Sequence, residues 1–225
     1  MSARPRRRRS GGDSVAVIGL GRFGGAVAEH LGRLGHSVLG IDEDLALVQA
    51  WGERLTHVVQ ADSTDADALR RLGVNEMSHA VVGIGADIEA SVVTVLALSE
   101  LGVPDIWAKA ISPNHGRILE RTGAHHVVFP EADMGERVAN LVTGKLMDFI
   151  EFDDGFAIVR TRPPADAAGR TLAASALRSR FGVTVVAVKR SGRDFAYATP
   201  ETVPEAGDQL IVAGHTAQVQ AFAGL

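Results

Sequence analysis

The chain has 225 residues, 46% hydrophobic, 22% charged and 5% aromatic, enough for one large domain or two small ones with a core of Val, Leu, Ile and Ala. It contains no cysteine, which removes disulfides, thiolate metal sites and a cysteine nucleophile. The net charge of −4 includes Arg4, Arg6, Arg7, Arg8 and Arg9; without those five the remainder carries −9, which argues against nucleic acid as a partner.

Residues 1–12 read as a disordered, basic, solvated tail; the alternative is a segment that touches anionic lipid or an acidic protein surface. No apolar run reaches the 18 residues of a membrane span, and an arginine-rich start is not a secretion signal. From Ser14, short apolar runs begin near Val15, Ser37, His57, His79, Asp105 and His126, at intervals of roughly 20 to 26 residues, the length of a strand plus a helix. Between them the spacing turns helical, as in Val27, Leu31, Leu34 and in Leu47, Val48, Trp51. Runs such as Ser14–Ile18 and His79–Val82 are apolar on both faces, as strands covered on both sides must be. The pattern predicts an α/β fold, a Rossmann-like doubly wound parallel sheet of six strands over residues 13–132.

A long helix over residues 133–150 is predicted next, crossing to a second lobe and carrying an apolar stripe through Met134 and Val138. Residues 151–225 change texture. Strands near 156–161, 183–189 and 208–213, one helix over 172–181 and loops with Pro163, Pro164, Pro200 and Pro204 predict a small α+β lobe. A lobe of that size gains stability by dimerising.

The sharpest motif is Gly19-Leu20-Gly21-Arg22-Phe23-Gly24. Gly19 permits the turn, Gly21 lets the backbone approach a phosphate, and Gly24 lets the helix pack closely on the strand. The helix start then offers free N–H groups to a pyrophosphate. Asp42, at the end of strand two, is placed to accept both ribose hydroxyls, and the acids after it, Glu43 and Asp44, repel a ribose 2′-phosphate. Asp62 either accepts from an adenine amino group or caps the following helix. Lys109, one of three lysines, ends strand five as a phosphate contact. Glu131 either caps the next helix or coordinates a cation beside phosphates. Arg22 either reaches terminal phosphates, in its own pocket or a neighbour's, or is simply solvated. No His-Glu zinc-hydrolase signature is present, and no sizeable second domain supplies a substrate site and general acid. The pocket reads as a sensor more than a reaction site.

The glycine motif, the Gly83-Ile84-Gly85-Ala86 turn, Ile106-Trp107-Ala108-Lys109-Ala110 and Pro130-Glu131-Ala132-Asp133-Met134-Gly135 resemble the RCK (regulator of K+ conductance) subunits of Ktr/Trk-type bacterial potassium uptake systems, in their KtrA-like branch. That resemblance covers nearly everything after residue 13. It implies a non-enzymatic, cytoplasmic regulatory subunit, peripheral on the inner face of the cell membrane. There it would dock on a potassium-translocating partner as a homo-oligomeric ring, often an octamer built from dimers. It implies ATP and ADP as ligands, with Gly19, Gly21, Phe23, Gly24, Ser63 and Gly85 in the nucleotide site, Asp42 on the ribose and Asp62 near the adenine. Arg22 and Lys109 would meet the terminal phosphates, and Glu131 would hold Mg2+, Na+ or Ca2+ there. Asp87 departs from the amide usual in such relatives. Some relatives bind cyclic di-AMP in the C-lobe, in the region of Arg178 and residues 181–185. The alternative function is a small NAD-dependent oxidoreductase or an NAD-responsive sensor, since NAD(H) presents the same adenosine and pyrophosphate.

Overall fold

The computed structural model describes residues 14–142, 147–152 and 154–224; the tail expected over residues 1–12 lies outside the described residues. Two compact units divide between Glu131 and Ala132.

In the first unit, β1 (Ser14–Ile18), β2 (Ser37–Asp42), β3 (His57–Gln60), β4 (His79–Val82), β5 (Ile106–Lys109) and β6 (His126–Val128) form one sheet in the order β3-β2-β1-β4-β5-β6, every pairing parallel. Successive side chains of β1 go to opposite faces, the period of two that a strand imposes. Val15 and Val17 join Val38, Leu20 and Ala28 in one buried cluster. Ala16 and Ile18 join Ala80, Val82, Ile106, Val95 and Leu98 in another. Helix α1 (Arg22–Arg33) and α2 (Leu45–Gly52) contribute to the first face; α4 (Ile88–Glu100) and α5 (Pro113–Thr122) contribute to the second. Each fully buried Val, Leu or Ile contributes about 1.5–3 kcal/mol, and the double layer is why these strands need no polar face. The chain order reverses between β1 and β4. In open sheets of this kind the crevice beyond the carboxyl ends of such strands is where ligands bind.

Helix α6 (Pro130–Val142) carries the chain into the second unit. It begins three residues earlier than its spacing suggests, and the expected helix over residues 133–150 is not continuous: Asp148–Glu151 is a strand, β7. Phe149 and Ile150 extend the helical stripe in sequence, yet both also fit an edge strand, and pairing with β8 (Phe156–Thr161) decides between them. With β9 (Thr184–Lys189), β10 (Phe195–Tyr197) and β11 (Gln209–His215) these make an antiparallel sheet in the order β10-β9-β11-β8-β7. The helix expected over 172–181 is broken into α7 (Leu172–Ser175) and α8 (Leu177–Phe181) by Ala176, whose φ of 48° is left-handed. Helix α9 (Thr216–Ala223) closes the core through Val219 and Phe222, with Phe222 edge-on to Phe181.

Candidate functional site

The first unit holds a cavity of about 520 Å³ at the crevice between β1 and β4, lined among others by Gly19, Gly21, Arg22, Phe23, Asp42 and Asp62. Its shape follows from the glycines. Gly19 has φ +85°, and a Cβ there would stand 3.0 Å from the Ile84 nitrogen. Gly83 donates its N–H to the Ile18 carbonyl at 2.7 Å, so the two turns at the ends of β1 and β4 are bound together.

Helix α1 starts inside this cavity with Gly21 as its N-cap and no side chain capping it. The next α-helices are each capped by a side chain: α2 by Asp44, α3 (Ala66–Arg71) by Asp65, α4 by Asp87 and α5 by Ser112. Unsatisfied N–H groups at a helix start are an anion site, and α1 keeps them. Asp42 is buried; its Oδ2 accepts the Leu20 N–H at 2.6 Å and its Oδ1 the Asp44 N–H at 2.9 Å. Both oxygens retain lone pairs for a second donor.

Asp62 does not cap α3, because Asp65 does. Instead its Oδ1 takes the Thr64 hydroxyl at 2.6 Å and the Thr64 N–H at 2.8 Å. Those two bonds hold its carboxyl below the ordinary range. Ser63 also lines the cavity, but its hydroxyl is engaged with Thr94 at 2.8 Å. Lys109 Nζ lies 2.5 Å from Glu131 Oε1 and 6.0 Å from the Phe23 ring centroid. Gly85 leaves room for it, since a Cβ there would come within 3.1 Å of Nζ. Glu131 lies in the first turn of α6, with its carboxyl held low by the Lys109 hydrogen bond and by the charges of Lys109 and Arg22.

Gly24 is not among the cavity-lining residues. A Cβ on it would stand 1.9 Å from the Gly19 carbonyl oxygen, so its place is between helix and turn. Thr64, Ala90 and Ile111, which no motif singled out, also line the cavity. Ala90 and Ile111 carry no chemical signature, and the Thr64 hydroxyl is spent on Asp62. Five lining carboxylates (Asp42, Glu43, Asp62, Asp87, Glu131) face two cations, Arg22 and Lys109. Among the described residues no three metal-ligating side chains converge.

In the second unit, a cavity of about 490 Å³ is lined by Arg178, Thr184, Val185 and Pro200 among others. Arg178 donates to Thr184 Oγ1 through Nε and Nη2 at 3.3 and 2.8 Å.

Two domain families match the chain: the TrkA-N domain over residues 15–130 and the TrkA-C domain over residues 156–225. Over 208 residues the chain is 35% identical to the Ktr system potassium uptake protein A of Bacillus subtilis (strain 168), covering 92% of this chain and 94% of that protein. The chain belongs to the Ktr/TrkA family. Among solved structures, the GsuK RCK domain matches with a TM-score of 0.66 at 20% identity, over 96% of this chain and 49% of that one. The GsuK channel bound to NAD matches at 0.64 and 20% identity, over 96% and 40%. This Ktr/TrkA chain therefore spans half or less of the GsuK chains, and shares with them the RCK fold.

Proposed function

We propose that the protein is a non-catalytic, nucleotide-binding regulatory subunit of a Ktr/Trk-type potassium uptake system. It acts from the cytoplasmic face of the membrane through a membrane-embedded potassium-translocating partner. The relationship to potassium uptake protein A along nearly its whole length supports the role. The observation that carries the ligand is the uncapped start of α1 at the glycine turn, beside the buried Asp42. The ligands are ATP and ADP. The pyrophosphate meets the N–H groups of the turn, Asp42 takes the ribose, and Asp62 lies toward the adenine. Lys109 and Arg22 take the terminal phosphate. The excess of carboxylates favours a cation bound with the triphosphate, and Glu131 is the side chain that would share Mg2+, Na+ or Ca2+ with phosphate oxygens.

NAD(H) competes for the same turn and Asp42, and the alternative is an NAD-responsive sensor or a small NAD-dependent oxidoreductase. Lys109 and Arg22, two cations lining the cavity, favour a third phosphate. Cyclic di-AMP is the second ligand, at the Arg178 cavity. The protein works as a homo-oligomeric ring built from dimers. Met134, Val138 and Val142 on α6 are 54%, 47% and 79% exposed, an apolar stripe that association covers. Among the described residues no helix is long and apolar enough to cross a membrane, which fits attachment through a partner.

The test is potassium flux into liposomes carrying the partner and this subunit, with ATP against ADP. Flux that differs between the nucleotides is expected; flux indifferent to nucleotide and to the subunit overturns the reading.

A further inference from the structure

Leu20, between the first two glycines of the motif, has both of its backbone polar groups held by distant side chains. Its N–H donates to Asp42 Oδ2 at 2.6 Å, and its carbonyl accepts the Trp51 indole N–H at 2.8 Å. The Leu20 side chain is buried, packed where a Cβ on Gly40 would meet it at 3.2 Å. Trp51, on α2, packs against α1 at Gly25, where a Cβ would come within 2.1 Å of its ring. The Arg54 guanidinium sits 5.2 Å from the ring centroid.

We propose that Trp51 is a positioning residue for the pyrophosphate, fixing the Leu20–Gly21 peptide so that its N–H and not its carbonyl is turned to the ligand. The claim rests on the nucleotide reading above. The Leu20 carbonyl and the Gly21 N–H belong to one planar trans peptide, so they point in opposite directions. Holding the oxygen on Trp51 sends the Gly21 N–H the other way, and Gly21 lines the cavity. That N–H has no partner among the described residues. Without the indole bond the peptide is free to rotate, because Gly21 tolerates either sign of φ. A rotated peptide would present its oxygen to the phosphates, which repels them. Trp51 therefore acts on the phosphate part of the ligand and leaves adenosine recognition to Asp42 and Asp62.

The experiment compares ADP with adenosine. Trp51→Phe keeps most of the ring and loses the N–H. It is expected to weaken ADP about five- to tenfold while adenosine, measured by displacement, changes by less than about twofold. Equal losses for both, or none, overturn the proposal. A second measurement leaves Trp51 in place. Trp107, stacked on His126, is replaced by Phe so that emission reports Trp51 alone. Saturating ADP is expected to shift or quench that emission and adenosine is not; a flat response to ADP, or the same response to both, contradicts it. A parent protein that binds neither ligand overturns the nucleotide reading, and this inference with it.

Discussion

Lys109, at the end of β5, and Glu131, in the first turn of α6, form a 2.5 Å ion pair whose lysine is 11% exposed and whose glutamate is 64% exposed. ATP and ADP share adenine, ribose and two phosphates, so a protein that separates them must do so with groups at the third phosphate. A phosphate that takes Lys109 leaves the exposed Glu131 free for a cation. In the proposed complex both halves of the pair would change partner, the buried Lys109 to the phosphate and the exposed Glu131 to the cation.

With Lys109 replaced by Met, the Glu131 carboxyl should titrate higher than in the parent, because its depression comes first from the Lys109 hydrogen bond. Carbon-detected NMR of the Glu131 carboxyl checks this. A carboxylate lowered in the fold contributes stability above about pH 4.3, its unfolded value, and loses it as pH falls through the folded value. With Glu131 so exposed the contribution is small. An unmoved titration in the variant would show that Lys109 does not set it.

Arg22 is exposed at the start of α1 and close enough to act on Glu131. Arg22→Ala should bind both nucleotides but lose the difference between them in particle shape by small-angle scattering. A few kcal/mol of differential contact is enough to invert a two-state population. A variant that still changes shape like the parent places the discrimination elsewhere.

Gly21 and Gly24 should separate binding from folding. No atom lies within 4 Å of a Cβ on Gly21, so Gly21→Ala costs less than about 1 kcal/mol of stability. It should lose nucleotide affinity more than tenfold, since the methyl stands where a phosphate approaches. Gly24→Ala puts a Cβ 1.9 Å from the Gly19 oxygen and should cost about 3 kcal/mol or more. Urea melts beside ligand titrations read both; equal destabilisation would contradict the assignment.

His115 is 2% exposed, and burial holds its pKa below the ordinary value. Its Nδ1 lies 3.4 Å from the Ile111 N–H and its Nε2 is buried without a hydrogen-bond partner among the described residues. The unfolded chain takes a proton at about pH 6.5 that the fold refuses, so stability falls as pH drops below that value. His115→Leu should lose less stability than the parent between pH 7 and 5 in urea melts. The other histidines are common to both proteins and cancel; parallel pH profiles would refute the effect.

The parallel sheet and its glycine turn were legible because both follow from strong local signals: apolar runs at a regular interval, and glycines between a strand and a helix. The position of Asp42 at the carboxyl end of β2, beside the glycine turn, was legible from the strand pattern and the spacing together. The second unit was harder. Phe149 and Ile150 satisfy helical and strand periods alike, and only pairing with β8 resolves them. Ala176 breaks a helix with a positive φ and no glycine to announce it. The three residues of β10 are all exposed and lack the alternation of a half-buried strand. In the site, the motif spacing gave Gly24 its place between helix and strand, and what failed was the family resemblance that put it in the nucleotide site, because its Cα packs on the Gly19 carbonyl and not on the cavity. Trp51 looks like one more apolar position on α2, because a hydrogen bond to the Leu20 carbonyl depends on tertiary placement.

In the proposed function the cavity at the glycine turn takes an adenine nucleotide without a ribose 2′-phosphate. Titration calorimetry of the whole protein with ATP, ADP, NADH and NADP tests it most directly. One site per chain for ATP and ADP at micromolar-range affinity, with no measurable heat from NADP beside Asp42, Glu43 and Asp44, is the expected result. NADP binding as tightly as ADP, or no binding of either adenine nucleotide, would contradict it.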